Sequence, residues 1–162
     1  MPQGMVAIPF GPPIHGAIVA SPALIAQHGT PQHPEGLTGY PCIQRRFPSG
    51  MLYKWEFQTE GKALDVAVSG DLTLDNDMLM IQAARTGAGA ALVMRELAQP
   101  WLADGSLVEI LTDYAAKPEG LWLYYPSRKY HSAALRCFID WVQQINRGVV
   151  DSPESFHAGN PP

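Results

Sequence analysis

Between Gly70 and Met94 the spacing of apolar positions changes period twice. Leu72 and Leu74 alternate with Asp71 and Thr73, the period of a half-buried strand, and Asp75 or Asn76 can then accept hydrogen bonds from the first N–H groups of a helix. From Met78 to Ala84 only Gln82 is polar, so this helix is expected to have almost no wet face and to lie between other elements. Gly87 suits the left-handed position after the last turn. Ala88 to Met94, with the run Ala90, Ala91, Leu92 and Val93, then reads as a short interior strand covered on both sides. Strand, helix and strand in that order predict a βαβ unit, and ligand clefts form at the ends of such units.

The same reasoning extends along the chain. Met5 to Phe10 predicts a strand, Pro12 and Pro13 break it, and Ala17 to Ala20 predicts another. Ser21 then caps a short helix with Pro22 in its first position, ending at His28-Gly29. Thr30 to Pro41, rich in proline and glycine, leaves room for at most one helical turn before Cys42-Ile43-Gln44 returns to strand. Tyr53, Trp55 and Phe57, then Leu64, Val66 and Val68 across the turn at Thr59 to Lys62, describe a hairpin with one dry face, in which Trp55 is a packing residue. Arg95 to Leu102 is expected to be helical around Pro100, Leu107 to Leu111 a strand, and Leu121 to Tyr125 a strand ended by Pro126. Ser132 caps a last helix in which Leu135, Phe138, Ile139, Trp141, Val142 and Ile145 form one apolar stripe, and the tail from Gly148 is expected to be mobile.

Composition indicates a loop-rich globule rather than a disordered chain. The chain has 162 residues, 46% hydrophobic and 16% charged, which suits one domain or two small lobes. A net charge of -4 argues against a surface that grips DNA by itself. Cys42 and Cys137 have no Cys or His at ligand spacing and read as buried apolar residues in a reducing cytoplasm, with no metal or cofactor implied. The start carries no positive region before an apolar run, and no stretch has the apolar length of a membrane span, so neither export nor membrane insertion is expected.

Candidate chemistry concentrates in Arg45-Arg46-Phe47-Pro48-Ser49-Gly50. Gly50 admits close backbone approach, Ser49 offers a hydroxyl, and adjacent arginines on a strand point to opposite faces. At most one of them is expected to reach a cleft; Arg46, nearer the loop, is preferred, with Arg45 then solvated, and the alternative is a surface turn carrying two solvated charges. The five histidines are scattered and there is neither a G-x-S-x-G elbow nor a Gly-rich phosphate loop, so no enzyme is expected.

The segments SPALIAQHGTPQHPEGLTGYPCI, FPSGMLYKWEF, GDLTLDNDMLMIQAARTGAGAALVM, LADGSLVEIL and LYYPSRKYHSAALRCFIDWV, in that order, resemble the C-terminal part of LysR-type transcriptional regulators over roughly residues 4–145. The resemblance implies a two-lobed α/β fold like type 2 periplasmic binding proteins, with one complete lobe and a remnant of the other. Residues 1–15 would be the remnant of the first lobe, 16–122 the complete second lobe, 123–147 the return to the first, and 148–162 a tail. It implies a small-molecule effector in the cleft, carboxylates being frequent, held by Ser21, Arg46, Phe47, Pro48, Ser49, Gly50, Asp75, Asn76 and Tyr125. Asp75 and Asp77 at the helix start oppose an anion there.

DNA would be reached only through the family's N-terminal winged helix-turn-helix, which this sequence does not contain, so the chain is expected to be N-terminally truncated. A homo-oligomer is expected, because the apolar faces of Met5 to Phe10 and Leu135 to Ile145 would otherwise stay exposed. The alternatives are a free-standing solute-binding protein of the same fold class and a truncated fragment that senses nothing.

Overall fold

In chain order the computed structural model contains β1 (Met5–Pro9), β2 (Gly16–Ala20), α1 (Pro22–His28), β3 (Cys42–Arg45), β4 (Trp55–Thr59), β5 (Lys62–Val66), β6 (Leu72–Leu74), α2 (Asp77–Arg85), β7 (Ala90–Met94), α3 (Arg95–Ala103), β8 (Val108–Ile110), β9 (Trp122–Pro126) and α4 (Ala133–Val150). It describes residues 4–59, 61–118, 120–127 and 132–150. The chain divides into two units, one formed by His15–Lys117 and the other by Met1–Ile14 with Pro118–Pro162.

The larger unit is built on a five-stranded mixed sheet in the order β6-β3-β7-β2-β8. β3 runs parallel to both β6 and β7, whereas β2 runs antiparallel to β7 and β8. The expected βαβ unit is therefore β6–α2–β7, with β3 seated between its two strands. Successive residues of the central strands feed two separate cores. Ala17, Val19, Ile43, Ala91 and Val93 pack with Met80, Ile81 and Ala84 of α2 and Ala98 of α3. Ile18, Ala20, Cys42 and Ala90 pack on the other face with Leu24 of α1, Leu37, and Trp55 and Phe57 of the β4–β5 hairpin. A strand covered on both faces needs apolar residues at every position, which is why β2 and β7 read as unbroken apolar runs. Trp55, opposite Val66 in the hairpin, is fully buried, as a packing residue should be.

Two expectations are corrected in this unit. The apolar run of α2 does not lie between other elements: Met80, Ile81 and Ala84 are buried, but Met78 and Leu79 are exposed, Leu79 by 56%. One face of a nine-residue helix suffices to cover the sheet here, and Met78 and Leu79 on its other side stay exposed. Arg45 is not solvated either; its guanidinium is ion-paired with Asp77 at the start of α2.

In the smaller unit β1 pairs antiparallel with β9, from Met5↔Pro126 to Pro9↔Trp122. Ser132 caps α4, its Oγ accepting from Leu135 N–H at 3.2 Å. The side-chain amide of Asn146 fastens the helix to the end of β1, donating to the Pro9 carbonyl at 2.6 Å and accepting from Gly11 N–H at 3.2 Å. The apolar stripe of α4 is split. Ile139 and Val142 are buried, but Phe138 and Trp141 stack on each other with ring centroids 5.9 Å apart and remain exposed. Cys137 on this helix is also exposed, contrary to the expectation of two buried cysteines; Cys42 is buried.

Candidate functional site

β3, β6 and β7 are parallel, so their carboxyl ends share one edge of the sheet. The chain leaves that edge from β3 in a small hairpin. Arg46 N–H donates to the Leu74 carbonyl at 2.8 Å, which ties the hairpin to the end of β6. Phe47 N–H to the Met51 carbonyl and Tyr53 N–H to the Arg45 carbonyl, both 2.9 Å, frame Arg46 and Leu52 as a bridge pair. Pairs framed this way exchange no hydrogen bonds themselves and hold their side chains closest together. The tip closes with Gly50 N–H donating to the Phe47 carbonyl at 2.8 Å, and Gly50 takes a left-handed φ of 85° that a side chain would strain. Phe47 meets Tyr53 edge-on with centroids 5.5 Å apart.

Beside this hairpin, α2 begins. Asn76, not Asp75, is its cap: Oδ1 accepts from Met78 N–H at 2.9 Å and Leu79 N–H at 3.2 Å. Asp77 in the first turn is matched by Arg45, so the charge of that carboxylate is cancelled locally. Asp75 is exposed. Arg46 is exposed as well, and among the described residues its guanidinium has no hydrogen-bond or ion-pair partner.

The same edge continues at β7 and the start of β2, where Gly16 lies opposite Met94. His15 Nδ1 lies 2.8 Å from a Glu96 carboxylate oxygen, which also accepts from His15 N–H at 3.3 Å. Burial pushes the Glu96 carboxyl up, but the hydrogen bonds from the His15 ring and from backbone N–H groups more than offset it, and its pKa is lowered. Arg95 Nε pairs with Glu109 at 2.9 Å. These charges are matched in pairs.

Arg46, Phe47, Pro48, Ser49, Gly50, Asp75 and Asn76 thus come together on one edge. Ser21 does not join them. β2 runs against β7, so Ser21, just beyond its carboxyl end, sits at the opposite edge of the sheet. It is 2% exposed, and its hydroxyl accepts from Leu24 N–H at 3.2 Å as the cap of α1. Tyr125 belongs to the smaller unit, on β9 opposite Val6. Sequence reasoning missed the Arg45–Asp77 pair and the Arg46–Leu52 pairing. The first had a signal: alternation that sends Arg46 one way sends Arg45 toward the face covered by α2. The second depends on the turn closing and had none.

Among the described residues no three His, Cys, Asp or Glu side chains are grouped to hold a metal ion, and no helix is long and apolar enough to cross a membrane.

Comparison with known proteins gives a consistent result. The chain is 34% identical over 141 residues to an uncharacterized HTH-type transcriptional regulator, YcaN, of Escherichia coli K12, covering 87% of this chain and 46% of that protein. It is 32% identical over 104 residues to a putative LysR family substrate binding domain-containing protein, YagP, of the same organism, covering 64% of this chain and 76% of the relative. Among solved structures the regulatory domain of AphB from Vibrio vulnificus superposes with a TM-score of 0.75 at 26% identity, covering 89% of this chain and 70% of that domain. The chain spans about half the length of the regulator YcaN. The LysR substrate binding domain model matches residues 1–147, and with the mixed α/β sheet this places the chain in the LysR substrate-binding domain family, with a periplasmic-binding-protein-like fold.

Proposed function

We propose that this chain is the small-molecule sensor of a LysR-type transcriptional regulator and takes its effector at the edge formed by Arg46, Phe47, Pro48, Ser49, Gly50, Asp75 and Asn76. The observation that carries this reading is the Arg46 guanidinium, without a partner among the described residues and set by a tight turn beside the capped N-terminus of α2, while Arg45 and Arg95 are ion-paired. A carboxylate would pair with Arg46 in a charge-assisted hydrogen bond, and the Ser49 hydroxyl, which could donate to it, lies three residues on. Effector binding can act on transcription only if it shifts the population of a larger assembly that also holds DNA. In this reading the regulator is a cytoplasmic homo-oligomer that contacts DNA through a segment outside these residues, and the chain catalyses nothing.

The test is a thermal-shift screen of small aromatic and aliphatic acids on the parent, Arg46→Ala and Ser49→Ala. A ligand that binds the folded state at 100 times its Kd stabilises it by about 2.7 kcal/mol. That gain should shrink sharply in Arg46→Ala. A ligand that stabilises Arg46→Ala as strongly as the parent sinks the assignment.

A further inference from the structure

We infer that residues 111–117, the last segment of the larger unit, form a strained strap with two states, clasped against the β4–β5 hairpin or sprung free of it, and that the state of the strap sets the course on which the chain leaves that unit.

The strain sits at one residue. β8 ends at Ile110, and Leu111 then takes a φ of 57° and a ψ of 32°, in the left-handed region. Among the described residues every other positive φ falls on a glycine. This conformation brings the Cβ of an L-residue too close to the following carbonyl oxygen, and a bulky side chain keeps it only where the surroundings hold it there. Leu111 is held by burial: it is 9% exposed and belongs to the same core as Ile110, Trp55 and Phe57. Relaxing it to an ordinary φ would turn the backbone that follows out of its present path.

Beyond Leu111 little is buried. Thr112 and Asp113 are exposed, Tyr114 is half-buried, and residues 115–117 are exposed again. The ties that hold this stretch are local or single. Tyr114 N–H donates to the Leu111 carbonyl at 3.0 Å and Ala115 N–H to the Thr112 carbonyl at 3.2 Å, which closes one turn. Ala115 pairs with Phe57 of β4 as an isolated antiparallel bridge. The clasp is Tyr114, whose ring packs against the core and whose hydroxyl is hydrogen-bonded to His33 Nδ1, 2.5 Å away. The two rings meet edge-on with centroids 5.7 Å apart. A segment held by one turn, one bridge and one side-chain hydrogen bond opens at lower cost than the sheet beside it, and opening lets Leu111 relax. Lys117 is the last residue of the larger unit, and β9 follows in the other, so the strap governs the exit of the chain.

Amide exchange read by NMR on the full chain, at several urea concentrations below the unfolding transition, tests this. The Tyr114 and Ala115 amides are expected to exchange through an opening that hardly depends on urea, because it uncovers little surface, while the amides of β2 and β7 follow the full slope of global unfolding. Tyr114→Phe should speed exchange at positions 114 and 115 by about fivefold, the loss of one hydrogen bond, and adding it to His33→Ala should speed them no further than His33→Ala alone. Leu111→Gly and Leu111→Ala both give up the buried side chain, but only glycine adopts the left-handed region freely, so the glycine variant should exchange about fivefold more slowly than the alanine variant at the same amides. If the strap amides share the rate and urea slope of β2 and β7, there is no separate open state and the inference falls. Exchange unchanged by Tyr114→Phe overturns the clasp, and equal glycine and alanine variants overturn the strain. The first two comparisons need no change at Leu111, so they decide the matter even if a truncation there fails to fold.

Discussion

Gly70→Ala should be among the most damaging single-methyl changes in the larger unit. Gly70 needs no unusual backbone angle; what it needs is space. A Cβ at this position would lie 1.7 Å from the Cys42 carbonyl oxygen and 2.8 Å from the Cys42 carbonyl carbon. Both neighbours are backbone, so no rotamer change relieves the clash, and β3 or the turn before β6 must move. The hydrogen bond from Cys42 N–H to the Ser69 carbonyl, 3.2 Å long, sits at the same crossing and would be lost with that movement. Overpacking costs about 1–3 kcal/mol and a lost buried hydrogen bond about 1 kcal/mol more, so about 2–4 kcal/mol is expected. For a chain of this size that lowers Tm by roughly 5–15 °C.

The control is Gly105→Ala, where φ is 75° and nothing lies within 4 Å of the added Cβ. It should cost only the left-handed penalty, about 1 kcal/mol. Urea denaturation of both variants, with an unchanged m-value showing that stability rather than the unfolded state has moved, provides the measurement. If Gly70→Ala melts within a degree of the parent, or Gly105→Ala is the worse of the two, the close approach is not what selects glycine at position 70.

Asn76→Ala removes the acceptor for two N–H groups of α2 and should cost about 1–2 kcal/mol, with Asn76→Asp recovering most of it in urea melts. In a double-mutant cycle of Arg45→Met and Asp77→Ala, each single change strands a partly buried charge, so a coupling of about 1–3 kcal/mol is expected; additive effects would show that the ion pair does not hold α2 to β3. Burial pushes the Cys42 thiol from its ordinary 9.0 up to about 12, so the folded state keeps a proton that the unfolded state sheds; stability should fall as pH rises from 9 toward 12, and Cys42→Ala should flatten that limb. A thiol reagent should modify the exposed Cys137 quickly in the native protein and reach Cys42 only on unfolding; two equally fast thiols would contradict the burial.

How much of this was legible in advance varied with the kind of residue. Strand and helix positions from Met5 to Val142 follow from periodicity, because each element carries its own apolar repeat. Caps were legible for Ser21 and Ser132, whose hydroxyls accept the bonds expected of them. At α2 two candidates stood side by side, and only geometry selects Asn76 over Asp75. The site was half legible: the FPSG turn and the start of α2 were identified as neighbours by resemblance, and the parallel register of β3 and β6 brings them together. Ser21 was expected there as a crossover residue, which the resemblance implied. A strand end faces one edge or the other according to strand direction, and direction is a property of the sheet.

The sequence by itself determined the order of elements, the two-sided burial of β7, and the family, since these depend on residue type and spacing alone. Tertiary structure decided which apolar faces are covered and which charges are matched. Met78, Leu79 and Trp141 are as hydrophobic as their buried neighbours and differ in remaining exposed. Arg45 and Arg46 are chemically identical, and the one-residue alternation of a strand turns one toward Asp77 and leaves the other free. Pairing is a relation between distant positions, so no local pattern encodes it, and Arg46 is a candidate effector contact because of what Arg45 does.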